Sequence, residues 1–256
     1  MCHDADSRPP ITDAPLTSAE GTDLVLTTAD GVNFRTFQAR PAQPSDVGIV
    51  VLPDVRGLHD YYRDLALRLA EQGHEALAVD YYGRTAGPEA RPSGIGFEDM
   101  GFDFMAHVHQ LTKTGLEADF ATAVSHLRST TACTSVFTIG FCMGGRNSYL
   151  SPTRGQNLNG CIGFYGSLGE LNGIPGPLQV VDEINTPLLL LQSADDTDPD
   201  RFPNAEFSAA LTARGVEHDL VIYEAPHSFF DVKMAAHADV CLDAWSRIKG
   251  FIARYS

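Results

Sequence analysis

A strand that turns directly into a helix is the feature that most constrains how this chain can fold. Residues 135–139 (SVFTI) are apolar and β-branched, which is typical of a buried strand, and they lead into residues 140–145 (GFCMGG). Gly140 and Gly144 have no Cβ, so they permit a sharp turn that strains the backbone of the residue between them. We call residues 140–145 the elbow. The elbow predicts that Cys142 projects into solvent at the carboxyl edge of a sheet.

A helix that starts at the elbow would suit a reactive thiol. Its free N–H groups and partial positive charge favour thiolate over thiol, and they also stabilise an oxyanion. The amide of Met143, next to Cys142, is therefore the first oxyanion donor that we predict. A tight turn around a buried cysteine is the alternative interpretation of so short a motif, and the rest of the chain must decide between the two.

A carboxylate is predicted at the end of a later strand. Residues 186–193 (TPLLLLQS) are typical of a buried strand and are followed by several aspartates. Asp195 comes first after the strand and is the acid that we predict. Asp196 and Asp198 are the alternatives, since aspartates further into a loop more often cap a turn or face solvent.

A histidine is predicted at the end of the next strand. After a helix-compatible segment at 201–215, residues 219–224 (DLVIYE) form a strand candidate that leads to His227. Its imidazole can take the proton of Cys142 while a carboxylate on the opposite ring nitrogen fixes the tautomer. Nucleophile, acid and histidine thus follow in the chain order of an α/β-hydrolase. The three strand ends together predict a Cys-His-Asp triad.

These motifs resemble those of the dienelactone hydrolases, the cysteine-nucleophile branch of the α/β-hydrolases. The residues that carry the resemblance are the elbow, Asp195 and the segment 225–229 (APHSF), and the likeness runs from about the strand at Val47 to the last helix. It implies an α/β-hydrolase fold and hydrolysis of an ester or lactone.

The resemblance also assigns roles to the residues that follow the strand at 47–52. It implies an auxiliary acid at Asp54, close to the resting Cys142, and a second oxyanion amide at Val55. The usual acid of the family at this position is glutamate, and aspartate is shorter by one methylene. Family members that act on dienelactone have an arginine after the histidine, where this chain has Asp231. An ester or lactone is therefore better supported as substrate than dienelactone itself.

Several side chains near the predicted active edge are candidates for binding the substrate. An anionic substrate would need a local basic patch in so acidic a chain, and the alternative for each arginine is a solvated surface position. The candidates are Arg56, Tyr82, Arg84, Arg91 and Arg146.

Strands and helices alternate from Val47 onward, which predicts a mostly parallel sheet with helices on both faces. Residues 29–31 (ADG) indicate an antiparallel hairpin at the edge of that sheet. Residues 1–20 are predicted to be an extended arm with a frayed or surface-packed terminus, and residues 21–256 a single α/β-hydrolase domain. Residues 85–110 are predicted to be a loop followed by a helix that lies over the site, in which Phe97, Phe102, Phe104 and Met105 line a pocket or belong to the core.

The charge and the apolar content of the chain limit the classes of partner that it can bind. The formal net charge of −15, from 33 acidic and 18 basic residues, argues against nucleic acid, which is bound by clustered Lys and Arg. No apolar run approaches the roughly 20 residues that cross a bilayer, and the first residues lack the features of a signal peptide. We therefore expect a cytoplasmic monomer or homodimer that binds a small-molecule ester or lactone, with no membrane association.

The cysteines favour a reducing compartment. They are odd in number and lack metal-type spacing, so we predict no disulfide, no metal site and no cofactor. The run Cys2-His3-Asp4 is not accompanied by a second ligand pair, which also argues against a metal. The five cysteines are Cys2, Cys133, Cys142, Cys161 and Cys241.

The function predicted from the sequence is hydrolysis of an ester or lactone through Cys142, His227 and Asp195. One alternative is a general short-chain carboxylesterase or thioesterase on the same fold. The other is a redox sensor, in which Cys142 reacts with oxidants and hydrolyses nothing.

Overall fold

The computed structural model describes residues 3–4, 6–89, 102–171 and 173–256, and within them it contains an eight-stranded sheet. The strands lie in the order β1-β2-β4-β3-β5-β6-β7-β8. The β1–β2 and β2–β4 pairs are antiparallel and the other pairs are parallel. Their bounds are β1 Ala19–Thr27, β2 Asn33–Pro41, β3 Val47–Leu52, β4 Glu75–Val79, β5 Ser135–Phe141, β6 Gly160–Phe164, β7 Leu188–Ser193 and β8 His218–Tyr223.

Helices connect the parallel strands. The α-helices are α1 Asp60–Glu71, α2 Gly83–Ala86, α3 Phe104–Val108, α4 Lys113–Thr130, α5 Met143–Leu150, α6 Asn204–Ala213 and α7 Ala238–Tyr255. Short 3-10 turns lie at Ser151–Arg154, Val181–Glu183 and Ala235–His237. In the described residues, no helix combines the length and apolar character that crossing a membrane requires.

Two hydrophobic clusters cover the two faces of the sheet. Leu65 of α1 and Trp245 of α7 belong to one cluster, and Phe120 of α4 and Leu211 of α6 belong to the other. The strands between them are buried on both faces, and for this reason β3 and β7 are continuous apolar runs rather than alternating ones.

The predicted mostly parallel sheet with its antiparallel N-terminal pair is confirmed. The sequence analysis did not find β6, whose five residues include Gly160 and Gly163 and therefore have low strand propensity. A Cβ on Gly163 would lie 2.3 Å from the ring of Tyr149, so close packing of α5 requires this glycine.

The described residues that precede β1 form no helix or strand, but several of them are closely packed. His3 is 2% exposed, Ser7 is 1% exposed and Ile11 belongs to the core beside α1 and α7. The expectation of a frayed or surface-packed terminus is therefore wrong for His3. Further along, Asp13 accepts a hydrogen bond of 3.0 Å from the indole N–H of Trp245.

Part of the predicted cover over the site lies outside the described residues, including Arg91 and Phe97. Phe102 and Phe104 pack against the α4 and α6 cluster as partly buried side chains, which favours the core interpretation for these two. Met105 is exposed.

The two-layer packing predicts a large difference between two leucine truncations. Leu65→Ala removes a fully buried side chain of α1 and should lower the free energy of unfolding by about 2–5 kcal/mol. Leu242→Ala on α7 is the matched control, since Leu242 is 50% exposed and should change stability by no more than about 0.5 kcal/mol. Urea denaturation measures both. Equal losses would contradict the assigned core.

Candidate active site

The elbow has the strained geometry that the sequence predicts. Cys142 has φ 55° and ψ −112°, outside the conformations that side chains prefer, and it precedes the first residue of α5. A Cβ on Gly140 would lie 2.0 Å from the carbonyl oxygen of Gly144, and one on Gly144 would lie 2.0 Å from the carbonyl oxygen of Leu52. Only glycine fits at these two positions.

The elbow is also tied to the strand on its other side. The backbone N–H of Cys142 donates to the carbonyl of Phe164 at 3.0 Å, at the end of β6. Tyr165 follows with φ 39°, and Ser228 next to His227 has φ 67°. Cys142, Tyr165 and Ser228 are thus strained non-glycine residues in the loops that follow β5, β6 and β8. Backbone strain of this kind is often found at functional sites.

His227 lies between the elbow and an aspartate. Its Nδ1 is 3.0 Å from Oδ1 and 2.8 Å from Oδ2 of Asp196, and its ring also hydrogen-bonds the Cys142 side chain. Burial disfavours the charged imidazole, but the hydrogen bonds and negative charges of Asp196 and Cys142 outweigh it and raise the pKa of His227 to about 9. The arrangement therefore favours an imidazolium beside a thiolate.

The partner of His227 corrects the sequence-based choice of Asp195. The Asp195 side chain is exposed, whereas Asp196 is partly buried and meets the imidazole. Ser193 explains the difference: its hydroxyl donates to the Ala225 carbonyl and accepts from the Asp195 amide at 3.1 Å. This bond holds a turn that directs the first aspartate to solvent and the second to the histidine loop.

The two predicted oxyanion amides belong to segments that touch. Met143 is the first residue of α5, so its N–H has no partner inside the helix. Among the described hydrogen bonds of residues 53–56, the Val55 N–H is not a donor. Gly144 packs directly against the backbone of Leu52 and Pro53, which brings the helix end beside the segment that carries Val55.

Three tyrosines hold that segment in place. The Tyr81 hydroxyl donates to the Pro53 carbonyl at 2.6 Å, the Tyr82 hydroxyl donates to the Val55 carbonyl, and the Asp54 amide donates to the Tyr62 hydroxyl at 2.9 Å. Tyr82, a predicted substrate-binding residue, is thus placed at the active edge with a hydroxyl that fixes the backbone of Val55.

Asp54, the predicted auxiliary acid, is bonded to its own loop and to the arm. Its carboxylate accepts from the backbone N–H groups of Arg56 at 2.8 Å and His3 at 3.3 Å, and it lies 3.7 Å from His59 Nε2. Burial alone would raise the pKa of Asp54, but His59 and the other donors lower it, so the group is a carboxylate that organises its own loop.

Two of the predicted substrate-binding arginines have structural partners. Arg84 donates to Asp30 at 2.6 Å and to Asp119 at 2.9 Å, which ties α2 to the β1–β2 hairpin and to α4. Arg146 is buried and donates to backbone carbonyls, including that of Pro175 at 3.0 Å. Burial lowers the pKa of Arg146 to about 10. We therefore correct the expectation that these two arginines bind a substrate anion, because their guanidinium N–H groups already donate to groups of the protein.

Arg56 lies at the active edge but faces the N-terminal arm. It donates to the His3 carbonyl at 2.6 Å and lies 3.3 Å from the Asp4 carboxylate. Asp231, which the sequence analysis placed where relatives have an arginine, is buried and also faces the arm. The site therefore presents no free cation at these two positions.

Tyr165 is a site residue that the sequence analysis missed. It follows β6, and its ring centroid lies 4.7 Å from that of His227. The strand before it was not predicted, so its position at a strand end could not be recognised. Within the described part of the chain, no cluster of three or more His, Cys, Asp or Glu residues could hold a metal ion.

Comparisons with known proteins place the chain in a family. A family model described as "Dienelactone hydrolase family" matches residues 34–256. A protein of Escherichia coli (strain K12) named "Putative carboxymethylenebutenolidase" is 26% identical over 236 residues, which cover 89% of this chain and 84% of that protein. A protein of the same name from Saccharolobus solfataricus is 27% identical over 258 residues and is covered to 96% of its length.

Solved structures agree with this placement. A Klebsiella pneumoniae structure titled "Putative Dienelactone Hydrolase" has a TM-score of 0.76 and 26% identity, covering 93% of this chain and 100% of that one. An acylaminoacyl peptidase of Pyrococcus horikoshii has a TM-score of 0.72 at 15% identity, covers 94% of this chain and 42% of that one, and shows likeness of fold alone. The predicted α/β-hydrolase fold is confirmed. The chain belongs to the dienelactone hydrolase family and is a hydrolase of carboxylic ester or lactone bonds.

Proposed function

We propose that the protein hydrolyses an ester or lactone by covalent catalysis through Cys142, His227 and Asp196. The observation that carries the proposal is the position of the His227 imidazole, which bonds the Cys142 side chain on one side and the Asp196 carboxylate on the other. This is the relation that nucleophile, base and orienting acid require.

The first half of the proposed reaction forms an acyl-enzyme. The Cys142 thiolate attacks the substrate carbonyl carbon, and the charge that develops on oxygen is received by the amides of Met143 and Val55. The C–O bond then breaks, and the His227 imidazolium gives its proton to the departing alkoxide. Asp196 keeps the imidazole in the orientation that this transfer needs.

The second half releases the acid. Neutral His227 takes a proton from a water molecule, whose oxygen attacks the thioester carbonyl. The C–S bond breaks, the acid leaves and Cys142 returns as a thiolate beside the imidazolium. No step requires a metal or cofactor.

The charges around the site favour a substrate without a carboxylate. Arg56 already contacts the arm and its Asp4 carboxylate, while Asp231 adds a buried negative charge to the histidine loop. We therefore propose a neutral ester or lactone. The alternative is a general short-chain carboxylesterase or thioesterase. Faster turnover of nitrophenyl esters than of lactones would favour this alternative.

Substitution of the proposed nucleophile or base should nearly abolish hydrolysis. We expect Cys142→Ala and His227→Ala each to lower kcat/KM by about 10² to 10⁴ on a 4-nitrophenyl ester. Cys133→Ala, a buried thiol in the α4 and α6 cluster, is the control and should keep its activity. Equal rates in wild type and Cys142→Ala would leave a redox role for the thiol instead.

The identity of the acid is tested by two neighbouring substitutions. Asp196→Asn should lower kcat/KM at least about 10²-fold, because the amide cannot stabilise the imidazolium in the same way. Asp195→Asn changes an exposed side chain and should stay within about twofold of wild type. The reverse order of effects would restore Asp195 as the acid.

The pH profile should carry the signature of His227. Its pKa is raised to about 9, so the imidazolium needed by a poor leaving group persists at neutral pH and is lost as the pH rises through about 9. We expect kcat/KM for a methyl ester to fall above that pH. In Asp196→Asn this fall should begin at lower pH, because a contribution that raises the pKa has been removed. A midpoint that does not move would contradict the pairing.

A further inference from the structure

His3 lies deep in the molecule beside the segment that carries Val55. Its backbone N–H donates to Asp54 Oδ2 at 3.3 Å, and its backbone carbonyl accepts from Arg56 at 2.6 Å. Asp54 and Arg56 are the two neighbours of Val55 in sequence. The backbone of His3 is thus bonded to the residues on both sides of the proposed oxyanion amide.

The imidazole of His3 reaches the opposite side of the site. The ring stacks on Tyr61 with centroids 3.7 Å apart, its Nδ1 lies 3.4 Å from Asp231 and its Nε2 lies 3.1 Å from the Tyr165 hydroxyl. A carboxylate only accepts, so Nδ1 carries the proton. Burial lowers the pKa of His3, which keeps the ring neutral. Its Nε2 therefore accepts the proton of Tyr165.

Tyr165 connects this ring to the proposed base. Its ring centroid is 4.7 Å from that of His227, and its backbone is held in a strained conformation at φ 39°. Asp231, the other partner of the His3 ring, belongs to the loop that carries His227. Both side-chain bonds of His3 thus end on groups that pack against the base or share its loop.

Further bonds fasten the arm in this position. Asp231 accepts from the Arg8 amide at 3.2 Å, and Lys233 pairs with Asp4 and Asp6. At the far end of the arm, Asp13 bonds Trp245 and Lys249. The arm is therefore held at both ends, and the His3 side chain is almost fully buried.

We propose that His3 is a positioning residue for the hydrolysis: its ring holds Tyr165 against His227, and its backbone holds the Val55 segment. This inference rests on the proposed function. Its consequence is that the N-terminal arm sets the geometry of the base and of the oxyanion amide together.

Side-chain substitution separates the two roles. His3→Ala keeps the backbone bonds of residue 3 and removes the ring, so the loss should fall on proton transfer by His227. We expect kcat/KM for methyl butyrate, whose leaving group needs that proton, to fall at least about tenfold. For 4-nitrophenyl butyrate, whose leaving group does not, the fall should stay within about threefold.

Three further variants complete the test. His3→Gln offers an amide donor and acceptor in place of the ring nitrogens and should recover part of the loss. Deletion of residues 1–8 also removes the backbone bonds and should lower kcat/KM for both esters further. Asp13→Asn loosens only the far end of the arm, and as the matched control it should stay within about twofold of wild type on both esters.

A second measurement needs no turnover. The rate of Cys142 alkylation by iodoacetamide at pH 7 should fall about threefold in His3→Ala, because a misplaced imidazolium stabilises less thiolate. If the wild type hydrolyses no ester, the proposed function fails, and this rate still decides the role of His3.

The proposal is overturned if His3→Ala lowers kcat/KM equally for both esters, or if it matches Asp13→Asn in hydrolysis and alkylation. Should His3→Ala fail to fold, Tyr165→Phe must give the same dependence on leaving group. The activity of the double variant His3→Gln/Tyr165→Phe must then be no lower than that of the less active of its two single variants. Additive losses would show that the two residues act independently.

Discussion

The site depends on a backbone contact that only glycine permits. The carbonyl of Leu52 lies where a Cβ of residue 144 would be, and the carbonyl of Gly144 lies where a Cβ of residue 140 would be. This contact presses the start of α5 against the end of β3. As a result, the backbone alone brings together the strained Cys142, the N-terminus of α5 and the segment that carries Val55.

The electrostatics follow from that packing. His227 is partly buried, and burial by itself lowers the pKa of its imidazole. The hydrogen bonds and negative charges of Asp196 and Cys142 outweigh this effect and raise the pKa. The site therefore favours an ion pair of thiolate and imidazolium. In the proposed reaction the raised pKa of His227 keeps the ring protonated for the first half, and the ring that has lost this proton accepts one from water in the second.

The sequence predicted the parts of the site that local patterns determine. The elbow, the strand before His227 and the parallel sheet follow from glycine spacing and from apolar runs, which are local properties. The choice between Asp195 and Asp196 depends on a turn held by the Ser193 hydroxyl, a contact between distant segments that no local pattern reports. The burial of His3 likewise depends on partners 51 to 228 residues away.

Strand β6 was not predicted, because its sequence is also determined by contacts with other parts of the chain. Its glycines lower its strand propensity, yet they are needed because Tyr149 packs against Gly163. Without this strand, neither the Phe164 carbonyl that holds the elbow nor Tyr165 could be placed.

The most direct test of the account is to look for the covalent intermediate. The protein would be mixed with excess 4-nitrophenyl butyrate, quenched in acid during turnover, and examined by intact-mass spectrometry and peptide mapping. The account predicts one added butyryl group, located on Cys142. A butyryl group on another residue, or turnover with no adduct on Cys142 in either wild type or His227→Ala, would contradict it.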